Sequence, residues 1–313
     1  MTHSYWQEAP LLHHPLKTDF NHDIVIVGAG IAGLTTAYAL SEKGFNPVII
    51  DKFSPDSGET HYTSAHLASV IDDRFIHIEK WHGKKGAQLA YQSHAAAIDF
   101  IEKIVKRYDI DCDFKRLNGY LFSQKKEASF FLQKELLASW RAGHREVNLM
   151  TSIPLKGFEG ATALRFPYQA QFEPARYMLG LLKVLQQRGL QIFSDTQIEN
   201  WEEKNDKILL TTSRGIKIRC NQVIFACNEP FVRFRYFTLQ APYRTYALVF
   251  EVPEAIVHDG LYWDTEDPYH YIRFATKEGS PQEHVLIVGG EDHKTGQNPH
   301  TDEQWEKLEH WTR

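Results

Sequence analysis

Three glycines and one carboxylate, at a fixed spacing, are the residues of this chain whose types most directly imply chemistry. Gly28, Gly30 and Gly33 make G-x-G-x-x-G, and Asp51 follows eighteen residues after Gly33. In this pattern the first glycine permits a tight turn and the second lets backbone approach a pyrophosphate. The third lets helix and strand pack closely. Phosphates then sit on a helix N-terminus, where free N–H groups and the macrodipole favour negative charge. Asp51 is placed to accept hydrogen bonds from a ribose, and an acid there disfavours a 2′-phosphate.

The elements that must position these groups are legible around them. Ile24 to Val27 is a continuous apolar run, as expected for a strand buried on both faces. Ile31 to Lys43 has helical spacing with Gly44 as its stop, and Ala37 keeps the helix–strand contact small. A second apolar strand, Pro47 to Asp51, completes a βαβ unit of a doubly wound α/β sheet.

Other candidates follow from topology. After the loop at Ser54 to Gly58, the stretch Glu59 to Leu67 returns small hydroxyl residues and two histidines towards the same crevice. There His66 is either a proton relay or cofactor contact, or a histidine satisfied within its loop. Val223 to Asn228 reads as another buried strand delivering its end to the crevice, with Cys227 a small buried residue rather than a reactive thiol. Tyr269, Tyr271 and Arg273 share one face of a strand by the period-two rule. They suit a small carboxylate substrate, and equally a half-exposed sheet face.

Composition narrows the class. The 313 residues suffice for two domains, and 42% hydrophobic with 24% charged residues is ordinary for a globular protein. A net charge of -5 makes no basic field for nucleic acid or anionic membrane. No apolar run approaches the roughly 20 residues of a membrane span. Cys112, Cys220 and Cys227 lack metal-ligand spacing, so no metal is expected, and reduced thiols point to a cytoplasmic location.

Along the rest of the chain, Ser4 to Asn21 reads as an arm packed over the first domain. Lys84 to Tyr108 is an amphipathic helix with Leu89, Ile101, Ile104, Val105 and Tyr108 on its apolar side. A strand is expected at Phe114 to Ser123, then helices at Glu127 to Ala142 and Pro174 to Arg188, closed by Gly143 and Gly189. Strands follow at Gln191 to Phe193 and Thr196 to Trp201, and a hairpin at Lys207 to Cys220. Arg244 to Val252, Tyr269 to Ala275 and His284 to Gly289 read as antiparallel strands, and a helix opening at Pro299 to Glu303 has Trp305, Leu308 and Trp311 on one face.

The fingerprint, Thr63-Ser64-Ala65-His66-Leu67 and the hairpin before Val223 together resemble the D-amino acid oxidase and glycine oxidase superfamily of FAD-dependent oxidoreductases. Ser4-Tyr5-Trp6, Ile110 to Phe114, Gly119 to Phe122 and the selective stretch Gly289 to Gly296 resemble a bacterial branch whose full-length members often carry a C-terminal Rieske iron–sulfur domain. The resemblance implies a Rossmann-like FAD-binding domain of the glutathione reductase type. A second α+β substrate domain would be built on a largely antiparallel sheet. It places Gly28, Gly30, Ile31, Ala32 and Gly33 at the pyrophosphate, and Asp51 with Lys52 at the adenosine ribose. Ser64, Ala65 and His66 would run near the flavin ring, Gln197 and Ile198 on the adenine side, and Ala226 with Cys227 over the dinucleotide.

It further implies hydride transfer from a C–H beside an amine, so an amine or amino acid is the expected substrate, with an electron acceptor the residues do not identify. Expected bounds are 20–80 and 172–230 for the FAD domain, 81–171 and 231–313 for the substrate domain, and 1–19 for the arm. Catalytic candidates are His66, Tyr271 and Arg273. Family members continue past the equivalent of Arg313, so a truncated chain is expected. A non-catalytic dinucleotide-binding remnant and an NAD-dependent dehydrogenase are the alternatives.

Overall fold

The structure is a computed structural model that describes residues 4–6, 13–55, 58–125, 127–227, 241–277, 280–296 and 302–313. Expectations on Asp56, Ser57, Asn228 and 299–301 lie outside the described residues. The chain opens with β1 (Phe20–Asn21), β2 (Ile24–Val27), α1 (Ile31–Ser41), β3 (Val48–Ile50), β4 (His66–Leu67) and α2 (Arg74–Tyr108). Next come β5 (Lys115–Ser123), α3 (Ala128–Ala142), β6 (Asn148–Met150), β7 (Thr162–Gln171) and α4 (Pro174–Gln187). Then follow β8 (Ile192–Phe193), β9 (Ile198–Lys204), β10 (Lys207–Thr212), β11 (Lys217–Cys220) and β12 (Gln222–Phe225). The last elements are β13 (Tyr243–Val252), β14 (Leu261–Asp264), β15 (Tyr271–Lys277), β16 (Ser280–Lys294) and α5 (Asp302–Thr312).

Contacts divide the chain into two units, one of residues 1–63, 104–112 and 173–240, the other of 64–103, 113–172 and 241–313. In the first, β12-β2-β3-β8 form a wholly parallel sheet, with Val25 opposite both Val48 and Val223. Val25, Ile26, Val48, Ile49 and Ile50 are fully buried, which is why these strands read as unbroken apolar runs. Leu34, Ala37 and Tyr38 of α1 are buried with them. A second sheet, β1-β11-β10-β9, contributes Leu210, Ile218 and Cys220 to the core that holds Val25 and Ile50. The arm belongs here: Leu16 enters that core, and the Trp6 indole donates to the Thr63 carbonyl at 2.8 Å.

The second unit is built on one mixed sheet in the order β13-β16-β15-β14-β5-β7-β4, with β6 on β7; only β5 and β14 run parallel. Alternate residues feed two cores on its two faces. Leu121, Leu164, Leu261 and Trp263 pack with α2 and α3, whereas Tyr120, Phe122, Tyr262 and Ile272 pack with Leu308 of α5.

Several expectations need correction. Residues 64–80 join the second unit, because β4 pairs with β7 and Val70, Phe75 and Ile78 enter its core. Residues 104–112 join the first, where Ile110 lies against Gly180 so closely that a Cβ there would be 2.5 Å away. Leu89 is 53% exposed. It precedes buried Ile98 by nine residues, half a turn out of phase on a 3.6-residue helix. Gly83, at φ 70, breaks α2 just before the helix expected from Lys84. The strands β6, β7 and β14 escaped the sequence reading. β7 contains Pro167, a residue that argues against a central strand. Here Pro167 sits at a bulge, with Tyr168 at φ 66, where the register with β5 shifts from Leu117–Gln169 to Gly119–Phe166.

Candidate dinucleotide site

Two of the three fingerprint glycines, Gly28 and Gly33, have a steric cause in the structure. Gly28 lies at φ 113, and a Cβ there would stand 2.6 Å from the Ala226 carbonyl oxygen. At Gly33 a Cβ would stand 1.8 Å from the Gly28 carbonyl oxygen. Gly30 differs, since its Cβ would meet only the Thr60 hydroxyl, at 3.3 Å, so its smallness keeps space for something else. Gly30 is the N-cap of α1 and supplies no side-chain cap, which leaves the helix's leading N–H groups to a ligand or a neighbour. Thr60 Oγ1 accepts the Ile31 N–H at 3.2 Å.

These groups face a cavity of about 540 Å³, within the ordinary range for ligand pockets. Gly28, Gly30, Ile31 and Ala32 line its floor, and Asp51, Lys52, Gln197, Ile198, Ala226 and Cys227 line its walls. Gly33 packs beneath the turn instead. The structure therefore brings together ten of the eleven residues expected in the first unit's site. Cys227, expected to be buried, is half-buried and lines the cavity; none of the three cysteines is in a disulfide. Thr60, in the Glu59–Leu67 stretch expected to return to the crevice, lines it, whereas Phe53, Tyr62 and Glu199, also in the lining, were not singled out. Phe53 and Tyr62 are 50% and 58% exposed, and exposed rings beside a concave surface are the signal that could have found them. Glu59-Thr60-His61-Tyr62 form a single 3-10 turn, which places Thr60 at the α1 N-terminus.

Asp51 ends β3 with both carboxylate oxygens engaged. Oδ2 accepts the Ala29 N–H at 2.5 Å, and Oδ1 accepts the Phe53 N–H at 2.8 Å. Burial pushes its pKa up, and those two N–H groups pull it part of the way back. The Lys52 ammonium lies 4.9 Å from the Phe53 ring centre, a cation beside a wall that otherwise carries Asp51, Glu59 and Glu199.

Ser64, Ala65 and His66 do not line this cavity; they lie in the second unit. His66 Nε2 meets the Ile272 carbonyl at 3.3 Å and Nδ1 meets the Ser64 hydroxyl at 3.0 Å. A carbonyl only accepts, so Nε2 carries the proton and Nδ1 accepts from Ser64. Burial, then the nearby Arg273 charge, lowers the His66 pKa to about 3, so the ring is neutral at physiological pH. Both nitrogens are committed, which suits a satisfied histidine better than a proton relay. Arg273 is 2% exposed, and its Nη1 donates to the Ala65 and Phe172 carbonyls at 3.0 and 3.2 Å. Of the face expected for Tyr269, Tyr271 and Arg273, Arg273 is thus buried and the two tyrosines are half-buried, with Tyr269 just before β15 rather than in it. Tyr271 lies 5.6 Å from His66 and 5.9 Å from Tyr269, ring centre to ring centre.

The selective stretch from Gly289 gives this region its shape. A Cβ on Gly289 would come within 2.0 Å of the Tyr271 ring. Glu291, at φ 56, forms a bulge opposite Thr245, whose hydroxyl is 3.4 Å from that of Tyr271. Bulges re-aim side chains in this way.

A glycine fingerprint at a helix N-terminus and an acid after the next strand are features of many dinucleotide folds, and comparison with known proteins separates them. The profile of the DAO family, FAD dependent oxidoreductase, matches residues 23–313. YhfW of Bacillus subtilis (strain 168), whose name describes a Rieske 2Fe-2S iron-sulfur protein, is 28% identical over 309 residues. The match covers 97% of this chain and 59% of YhfW. D-amino-acid oxidase of Schizosaccharomyces pombe (strain 972) is 31% identical over 148 residues, covering 44% of this chain and 41% of that enzyme. Glycine oxidase from Geobacillus kaustophilus has the same fold, with a TM-score of 0.71 over 94% of this chain and 77% of that one, at 16% identity. No helix among the described residues is long and apolar enough to cross a membrane. With 23–313 matched as one stretch around this cavity, the chain belongs to the DAO family of FAD-dependent oxidoreductases.

Proposed function

We propose that this chain binds FAD in the cavity of its first unit and belongs to an enzyme that oxidises the C–N bond of an amino acid or amine. The observation that carries the reading is the cradle at Gly30. An α1 N-terminus whose N-cap residue has no side chain, with Thr60 meeting only the Ile31 N–H, opens on a 540 Å³ cavity that a side chain at Gly30 would enter. The backbone from Gly28 to Ala32 would hold the pyrophosphate, Asp51 and Lys52 the ribose side, and Gln197 and Ile198 the adenine side. Ala226 and Cys227 would close the opposite wall. Bound FAD supplies the acceptor for a hydride from a substrate C–H next to nitrogen, and the protein binds, orients and excludes water. Relatives named as D-amino-acid oxidase, monomeric sarcosine oxidase and gamma-glutamylputrescine oxidoreductase support an amino acid or amine as the substrate class.

The test is an absorbance spectrum of the purified protein before and after FAD addition and desalting. Flavin bands that survive desalting, and that amino acids or amines bleach without oxygen, support the reading. A colourless protein that ignores added FAD would move the assignment to a remnant that keeps the fold and has lost the enzyme.

A further inference from the structure

Asp51 is hydrogen-bonded to four residues, Ala29, Phe53, Phe193 and Thr196. Besides the Ala29 and Phe53 N–H groups on its carboxylate, its own N–H donates to the Phe193 carbonyl at 2.8 Å, and its carbonyl accepts the Thr196 N–H at 2.8 Å. The backbone bonds set the carboxylate at the end of β3, and the carboxylate then reaches the glycine turn. Ala29 sits inside that turn, after Gly28 at φ 113 and before Gly30 at the α1 N-cap, with its own side chain fully buried. Its N–H is met by Oδ2. Phe53, held through Oδ1, is the half-exposed ring of the cavity wall.

We propose that Asp51 is a positioning residue whose carboxylate holds the Gly28–Gly30 turn and the Phe53 turn in their nucleotide-accepting geometry before any nucleotide arrives. Resting on the proposed function only for the identity of the ligand, this role adds to ribose contact and makes a separable prediction. An amide cannot replace the carboxylate, because one end of it accepts and the other donates, whereas both partners here are N–H donors.

The experiment titrates ADP and 2′,3′-dideoxy-ADP into wild-type protein and Asp51→Asn by calorimetry, with exchange of the Ala29 amide followed in the nucleotide-free proteins. Loss of a charge-assisted bond predicts about tenfold to a hundredfold weaker binding of dideoxy-ADP, at least as large a loss for ADP, and faster Ala29 exchange. Dideoxy-ADP binding left at the wild-type level, with only ADP weakened, would overturn the proposal and leave Asp51 a ribose contact alone. Unchanged Ala29 exchange would overturn it as well. If Asp51→Asn does not fold, Asp51→Glu keeps the charge but shifts it by one methylene, and the same two-nucleotide comparison applies. Wild-type protein that binds neither nucleotide would defeat the proposed function, whereas the Ala29 exchange comparison would still decide the role of Asp51.

Discussion

A single methyl group at Gly33 should weaken the fold, whereas a larger side chain at Gly30 should spare the fold and remove nucleotide binding. In Gly33→Ala the new Cβ would stand 1.8 Å from the Gly28 carbonyl oxygen and 2.9 Å from its carbon. Both are backbone atoms of a turn tied to Ile50 by the Gly28 N–H at 2.8 Å, so neither yields without moving the turn. Overpacking of this kind costs about 1–3 kcal/mol, and a contact this short belongs at the upper end. Alanine in place of a helical glycine returns about 1 kcal/mol through helix propensity. The clash wins by about 1–2 kcal/mol. At roughly 2–4 °C per kcal/mol for a unit of this size, the melting transition should fall by roughly 2–8 °C. In Gly30→Ser the Cβ meets only the flexible Thr60 hydroxyl at 3.3 Å, and serine is the better N-cap by a few tenths of a kcal/mol. Its melting transition should stay within about 2 °C of wild type, while its side chain enters the cavity proposed to hold the phosphates. The assay is circular-dichroism melting of the nucleotide-free proteins, paired with ADP titration. A Gly33→Ala protein as stable as wild type would refute the packing argument, and a Gly30→Ser protein that binds ADP normally would refute the cradle.

The second unit offers three further tests. Glu135 of α3 is fully buried, and its carboxylate accepts the Phe75 and Ile76 N–H groups at 2.7 and 3.0 Å, capping α2 from outside. Glu135→Ala should cost about 2–4 kcal/mol by leaving both donors buried and unmet, and denaturant unfolding reads the loss. His270 lies between Asp264 at 2.8 Å and Glu291 at 3.3 Å, and stacks on Trp311 of α5 at 4.0 Å. Burial lowers its pKa, but the hydrogen bonds and charges of Asp264 and then Glu291 outweigh that and leave it raised. A raised folded-state pKa stabilises fully below the unfolded value of about 6.5 and fades as pH climbs through the folded value. Stability measured from pH 6 to 9 should therefore decline in wild type, and His270→Gln should flatten that decline; an unaltered slope would exclude His270. Gly289→Ala should displace the Tyr271 ring, which a Cβ would approach within 2.0 Å. In a double-mutant cycle Tyr271→Ala should recover about 1–2 kcal/mol of that loss, and strict additivity would contradict the contact.

The amino-acid order by itself determined the βαβ unit from Ile24 to Asp51. Its signals are local: an apolar run, three glycines, a helix of 3.6-residue period and a terminal acid all fall within 28 residues, Ile24 to Asp51. Turn chemistry, helix stops and strand burial act over that range, so spacing alone carries them. Helix ends at Gly143 and at Pro174, and the Lys207 to Cys220 hairpin, were legible for the same reason.

Tertiary structure decided what depends on partners far apart in the chain. β7 is a strand despite Pro167 because β5, about fifty residues earlier, absorbs the bulge. β14, only four residues long, is a strand because β5 and β15 flank it and both its faces are covered. Thr60 reaches the α1 N-terminus, and Arg273 is buried against Ala65 and Phe172, through contacts that no sequence period encodes. Asp51 shows both levels in one residue. Its place after an apolar strand is a matter of spacing, but the commitment of its carboxylate to the Ala29 and Phe53 N–H groups exists only once the turn has closed upon it.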